Sequence, residues 1–412
     1  MSLTLTDAQL RRSDAFPITP SISSDGSRVF LVYQIDFQES DQPQVIPVRR
    51  GEPVNGRPDE TNVAAELFDV ESGLLLSVRT LPLDLDYGFV GDGHANASFD
   101  TFSIVDDNGD DIVRLRLLDG KFRLRGELIC DDLITSDSQD GLPCSPGGGT
   151  FSPDGRLVAF SYLSRGEVDR QKTTLRVVDV DGVALRASAE VDGGSDGPRL
   201  FRQGDVDCVL IATHGGRYEF GFENSHARHF ARVTILRLEG DRLVEITRVE
   251  LAQAVLGVPS VRNVDGVTWI GVGTARAVPA GAVTVFTDDS DRRPFTDDLP
   301  NFRLYRFNDD KLSLVTSQAW EGSISTPTFL ADHTLAVAIQ GVDSDAGLLQ
   351  LHRLKRGCSK CNKCSRLQLD GPPRLIPPLH SAASSQDSSW LIVTGSDEND
   401  RYRNVLLYRV EL

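Results

Sequence analysis

Cys358, Cys361 and Cys364 follow one another at three-residue steps in the segment LKRGCSKCNKCSR. Thiolates at that spacing can converge on one metal, either zinc or the iron of an iron–sulfur cluster. Lys355, Lys360 and Lys363 stand among them, half of the six lysines in the chain, and nearby cations favour the thiolate. No fourth ligand is evident, so water, His352 or a partner would have to complete the site. A redox thiol cluster and an ordinary turn are the competing readings. Cys130 and Cys144 belong to another part of the chain, and Cys208 opens an apolar run as a small core residue.

A second concentration of chemistry is HGGRYEFGFENSHARHF, residues 214–230, which contains His214, His226 and His229 out of seven histidines. Imidazole binds transition metals and titrates near neutral pH, which suits a metal or acid–base site. Arg217, Tyr218, Phe220, Phe222 and Arg228 suit a different role, because arginine and aromatic side chains anchor interfaces. A loop whose aromatics only pack on their own scaffold is the third reading. The acidic runs around Asp106–Asp110 and Asp397–Asn399 lack the sixth-position glycine and distal glutamate of an EF-hand. Asn108-Gly109 favours a tight hairpin turn instead.

These residues need a scaffold, and bulk composition limits its kind. The 412 residues are 40% apolar and 25% charged, ample for a core. A formal charge of −17 argues against general nucleic-acid binding, which needs a basic stripe. No eighteen-residue apolar run occurs, and the N-terminus MSLTLTDAQLRRSDAF has no basic-then-apolar leader. The cytoplasm is the expected compartment. Six unevenly spaced cysteines do not make a secreted disulfide framework.

The scaffold is legible from repetition. In GTFSPDGRLVAF, residues 149–160, a Ser-Pro-Asp-Gly turn joins two apolar runs. Proline fixes φ and glycine tolerates positive φ, as a hairpin requires. Degraded copies begin near Pro20, Asn96, Pro198, Pro259, Pro327 and Ser381, which makes seven with Gly149. Each is followed by an alternating third strand, such as AELFDVESG, LRVVDVDG or NVLLYRVEL, and then a fourth. Almost no helical period is present. Seven four-stranded antiparallel units predict an all-β fold, a seven-bladed β-propeller. Its blades span 18–80, 88–131, 148–192, 197–251, 257–320, 325–370 and 380–412. The last lacks a fourth strand, which the N-terminal segment 2–8 would supply, closing the ring.

ELFDVESGLLLSV, residues 66–78, resembles the third-to-fourth strand of a WD40 or TolB-type blade. GHANASFDTFSIVDDNGDDIVRLRLLDGKFRL, residues 93–124, is similar to a blade of the lactonase-like propellers, as is NFRLYRFNDDKLSLV, residues 301–315. The second resemblance implies a hydrolase at the mouth of a central channel. His94, Glu219, His226, His229 and His380 would then supply acid–base groups or metal ligands.

Antiparallel topology sorts the loops onto two faces. The second-to-third loops of blades 1, 4 and 5, at 36–62, 214–230 and 275–301, are the long ones and share a face with the blade-to-blade connections, in which His94 and His380 are expected to lie. Long loops on a rigid scaffold carry binding. The leading expectation is therefore a binding or scaffold module that recognises a protein or other ligand through that face, and the lactonase-like hydrolase is the alternative.

Overall fold

The computed structural model describes the chain except residues 1, 6–9, 14, 18–19, 36–61, 73–74, 83–88, 108–111, 131–145, 165–171, 196, 216–229, 252–254, 256, 265, 275–299, 321–322, 325–326, 331–333, 341–346, 356–365, 370–373, 377–378, 386–388, 397–401 and 412. Regular structure among the described residues is entirely β. The strands form antiparallel meanders in chain order: a first unit over 15–82, a second over 89–130 and a third over 146–192. A fourth covers 198–251, a fifth 260–318 and a sixth 323–376. The seventh joins three strands over 379–411 to the N-terminal segments Ser2–Leu5 and Leu10–Ser13. The third and fourth units are continuous as one sheet, linked by a single parallel bridge between Ser188 and Arg242 on their outermost strands.

Proline explains where strands break. The first strand of the first unit is split into Ala15–Pro17 and Ser21–Ile22, with Pro20 between the halves. Arg366–Leu369 and Arg374–Ile376 share one partner strand and are separated by a segment containing Pro372 and Pro373. Pro20 has no N–H to donate to a ladder, which suits the break between Ala15–Pro17 and Ser21–Ile22.

The turn between the first and second strands recurs in detail. In the stretch 149–160, Ser152 N donates to Leu157 O and Gly155 N to Ser152 O, both at 2.9 Å. Ser23 N to Arg28 O and Gly26 N to Ser23 O repeat these bonds at 2.9 Å. Each serine hydroxyl also donates to the aspartate two residues on, Asp25 at 2.6 Å and Asp154 at 2.7 Å. Those bonds, with others from Ser27, hold the Asp25 carboxyl down at about 2. Gly26 and Gly155 have φ of 70° and 71°, the left-handed region. In the second unit Phe99 fills the same place at φ 58°. An L-residue there costs about 1–2 kcal/mol. Burial of its ring against Phe102, with centroids 5.7 Å apart, offsets that cost.

The core lies between units rather than within them. Phe30, Val32 and Leu67 of the first unit pack with Phe99, Phe102, Ile104 and Phe122 of the second. Further clusters join second to third, third to fourth, fourth to fifth, fifth to sixth and sixth to seventh. Val29, Leu31 and Phe68 of the first unit also pack with Ile392, Val405 and Leu407 of the seventh.

Candidate functional site

Strand pairing fixes where the long connections leave the scaffold. Residues 36–61 depart and return across the pair Ile35–Asn62, 216–229 across Gly215–Phe230 and 275–299 across Gly273–Phe302. All three join a second strand to a third, so in antiparallel meanders they emerge from the same end of their units. The opposite end carries the compact Ser-x-Asp-Gly turns and the equally short turns at 120–123, 181–183 and 309–310.

The base of the 275–299 connection is built most firmly. Thr274 N donates to Asn301 O at 2.9 Å. The Asn301 amide clamps the Trp320 backbone from both sides, donating to its carbonyl and accepting from its N–H, each at 2.9 Å. Trp320 then stacks against Phe302 at 5.3 Å and His352 at 4.6 Å. His352 is 2% exposed and its Nε2–H donates to Gln350 Oε1 at 2.9 Å. Burial pulls its pKa down to about 4, so the ring is neutral at pH 7. The 216–229 connection is flanked by Arg232, which bridges Glu250 at 2.8 Å and Asp192 of the third unit at 3.2 Å. Deeper in the second unit, buried Asp106 pairs with Arg116 at 2.9 Å.

His94 is a strand residue, not part of a connection between units. It lies near the end of Phe89–Ala95, just before the compact turn, and pairs with Ser103. Its ring is buried, with Nδ1 3.5 Å from Ser21 Oγ. Burial first, and then the charge of Arg199, lower its pKa to about 3. His380 is likewise in a strand, near the start of Leu379–Ser384, at the register shift between Leu379 and Ser381. The two histidines therefore occupy opposite ends of their innermost strands. Arg217, Tyr218, Glu219, Phe220, Phe222, His226, Arg228 and His229 lie outside the described residues.

The same arrangement is found in solved structures. The β-propeller domain of the Trilobed protease from Pyrococcus furiosus matches at a TM-score of 0.50 and 9% identity, over 96% of this chain and 96% of that chain. The fold is a β-propeller. A functionally unknown protein from Desulfotomaculum acetoxidans matches at the same TM-score and identity over 83% of this chain and 88% of its own. No family model matches the sequence, and no curated protein matches it. Identity this low carries the propeller fold and nothing about chemistry.

On the propeller, the cysteine segment 356–365 is outside the described residues, but its ends are fixed. Lys355 pairs with Arg366, so the segment connects a third strand to a fourth on the compact face. His352, the ligand suggested by proximity in sequence, is committed to the Trp320 stack instead. Cys208 is buried, with its thiol pushed up to about 12 by burial, as a core residue should be. Among the described residues no group of three or more His, Cys, Asp or Glu side chains is placed to hold a metal. No helix among them is long and apolar enough to cross a membrane.

The Asn301–Trp320–His352 anchor is not evident from composition or motif. One signal was available: in LLQLHRLK, Gln350 and His352 alternate with Leu349 and Leu351, giving one face of the strand two polar side chains. Polar groups on a buried face imply hydrogen-bond partners.

Proposed function

We propose that this chain is a closed seven-bladed β-propeller that binds a protein partner through its loop-bearing face, as a recognition or scaffold module of the cytoplasm. The observation that carries the reading is the common exit of segments 36–61, 216–229 and 275–299, opposite a face of compact turns. Arg217, Tyr218, Phe220, Phe222 and Arg228 are the proposed anchors, being the residue types that dominate interface energetics. Supporting closure, the innermost strands touch in succession through all seven units, and Leu379–Ser384 of the seventh touches Ser21–Ile22 of the first. Pairing of Ser2–Leu5 with the C-terminal strand supports the N-terminal segment as the last blade's outer strand. The hydrolase alternative has less support, since His94 is buried at the compact-turn end of its strand.

Replacing residues 217–228 by a short Gly-Ser linker tests the reading. The propeller should keep its circular dichroism and melting point while losing its partner in affinity capture. A truncated protein that still captures the same partner at wild-type yield would contradict it.

The cysteines receive a separate proposal: Cys358, Cys361 and Cys364 hold zinc or an iron–sulfur cluster in a loop closed by the Lys355–Arg366 pair. Elemental analysis of the reduced protein should find stoichiometric metal, lost when all three are changed to Ser. Metal-free protein would end this proposal without touching the binding one.

A further inference from the structure

The seam between the seventh and first units is packed by residues outside the N-terminal segments. Ile22 and Ala383, on the innermost strands, meet there with Trp390. Val29, Leu31, Phe68 and Val70 of the first unit pack with Ile392, Val405 and Leu407 of the seventh. The turn at Gly26 lies directly on the Trp390 indole, where a Cβ would be 2.0 Å from Cδ1. This packing runs from the inner edge of the two sheets out to their third strands. Apolar burial on that scale joins the two units whether or not a further strand is added at the rim.

Ser2–Leu5 and Leu10–Ser13 are attached in another way. Both pair with Tyr402–Glu411, on the side opposite Trp390–Ser396. Each ladder is four residues long. Their registers are out of step: Leu5 pairs with Tyr408 and Leu10 with Val405, five residues along one strand against three along the other. Neither ladder continues the other, so each is a short terminal piece, the kind that opens at low free energy. The second ladder also sets Arg12 directly opposite Arg403. Like charges so placed destabilise a strand pair.

We propose that Ser2–Leu5 and Leu10–Ser13 form a releasable strap, which lifts off the C-terminal strand while the ring stays closed. Lifting uncovers the edge of Tyr402–Glu411, a row of N–H and C=O groups ready for strand pairing. The occupant of that edge is the strap itself, and the Arg12–Arg403 pair sets how readily it leaves.

Hydrogen exchange of the full chain, read by mass spectrometry at about 0.05 M salt, where exposed charges are weakly screened, tests this. Residues 2–13 should exchange at least about a hundredfold faster than 391–396 and 29–32, which stay protected with the ring. Arg403→Glu should slow exchange of residues 10–13 about two- to fivefold, by turning a repulsive pair into an attractive one. Arg12→Glu should do the same, and the two together should return the wild-type rate. Melting points should stay unchanged in all three variants. Exchange of residues 2–13 in step with 391–396 would overturn the proposal, because the segment would then leave only when the ring unfolds. A charge cycle that leaves exchange unaltered would overturn it too, as would melting points that move with the exchange rates.

Discussion

Substitution of Gly26 by alanine tests the contact between the first and last units. Gly26 has φ of 70°, and a Cβ there would lie 2.0 Å from Trp390 Cδ1 and 2.9 Å from Trp390 Cγ. Those atoms are at the root of the indole, so a small swing of its far end gives no relief. Alanine would incur about 1–2 kcal/mol for the left-handed backbone and about 1–3 kcal/mol for overpacking. The total is roughly 2–5 kcal/mol. Gly204 supplies the control: its φ is 59° and nothing lies within 4 Å of its Cβ position. Gly204→Ala should cost the backbone part alone. Urea unfolding followed by tryptophan fluorescence and circular dichroism measures both. Introducing Trp390→Ala into each background should abolish the difference between them. Equal destabilisation by Gly26→Ala and Gly204→Ala would mean that no indole packs against that turn.

Asn301→Ala removes both hydrogen bonds to the Trp320 backbone and should cost about 2–3 kcal/mol in unfolding experiments. Asp106→Ala leaves Arg116 buried without its nearest carboxylate and should cost about 3–5 kcal/mol, seen as a lower melting temperature. His94 and His352 have folded pKa values near 3 and 4, below the ordinary value of 6.5. Their neutral forms stabilise the fold above pH 6.5, and that contribution is lost as pH falls toward the folded values. The loss is about 2 kcal/mol for each at pH 5. A urea-midpoint series from pH 7 to 5 should therefore flatten measurably in His352→Gln.

The scaffold was legible because its signals are local. Alternation in LRVVDVDG and its relatives, with a glycine or turn aspartate at a fixed distance, is set by neighbours in sequence, and the described strands form antiparallel meanders that follow it. What stayed hidden depends on contacts between units. His94 read as part of a connection because it precedes the repeat that begins near Asn96. In the fold Gly93 is needed where the strand meets the first unit, since a Cβ there would lie 2.2 Å from Val32 Cγ2. The second N-terminal segment, Leu10–Ser13, escaped because LRRS has no apolar alternation and takes its place only by pairing with Tyr402–Val405. His352 looked like a ligand for the cysteines from sequence distance alone, whereas the strand turns its ring toward Trp320 of the preceding unit.

Photocrosslinking from both faces tests the binding claim most directly. Benzoylphenylalanine would be placed at Phe222 on the loop-bearing side, and separately at Lys121 and Asp241 in turns of the compact side. One partner adduct is expected from position 222 and none from the other two. Adducts formed from 121 or 241 but not from 222 would contradict it, because the recognition surface would then be the face of compact turns.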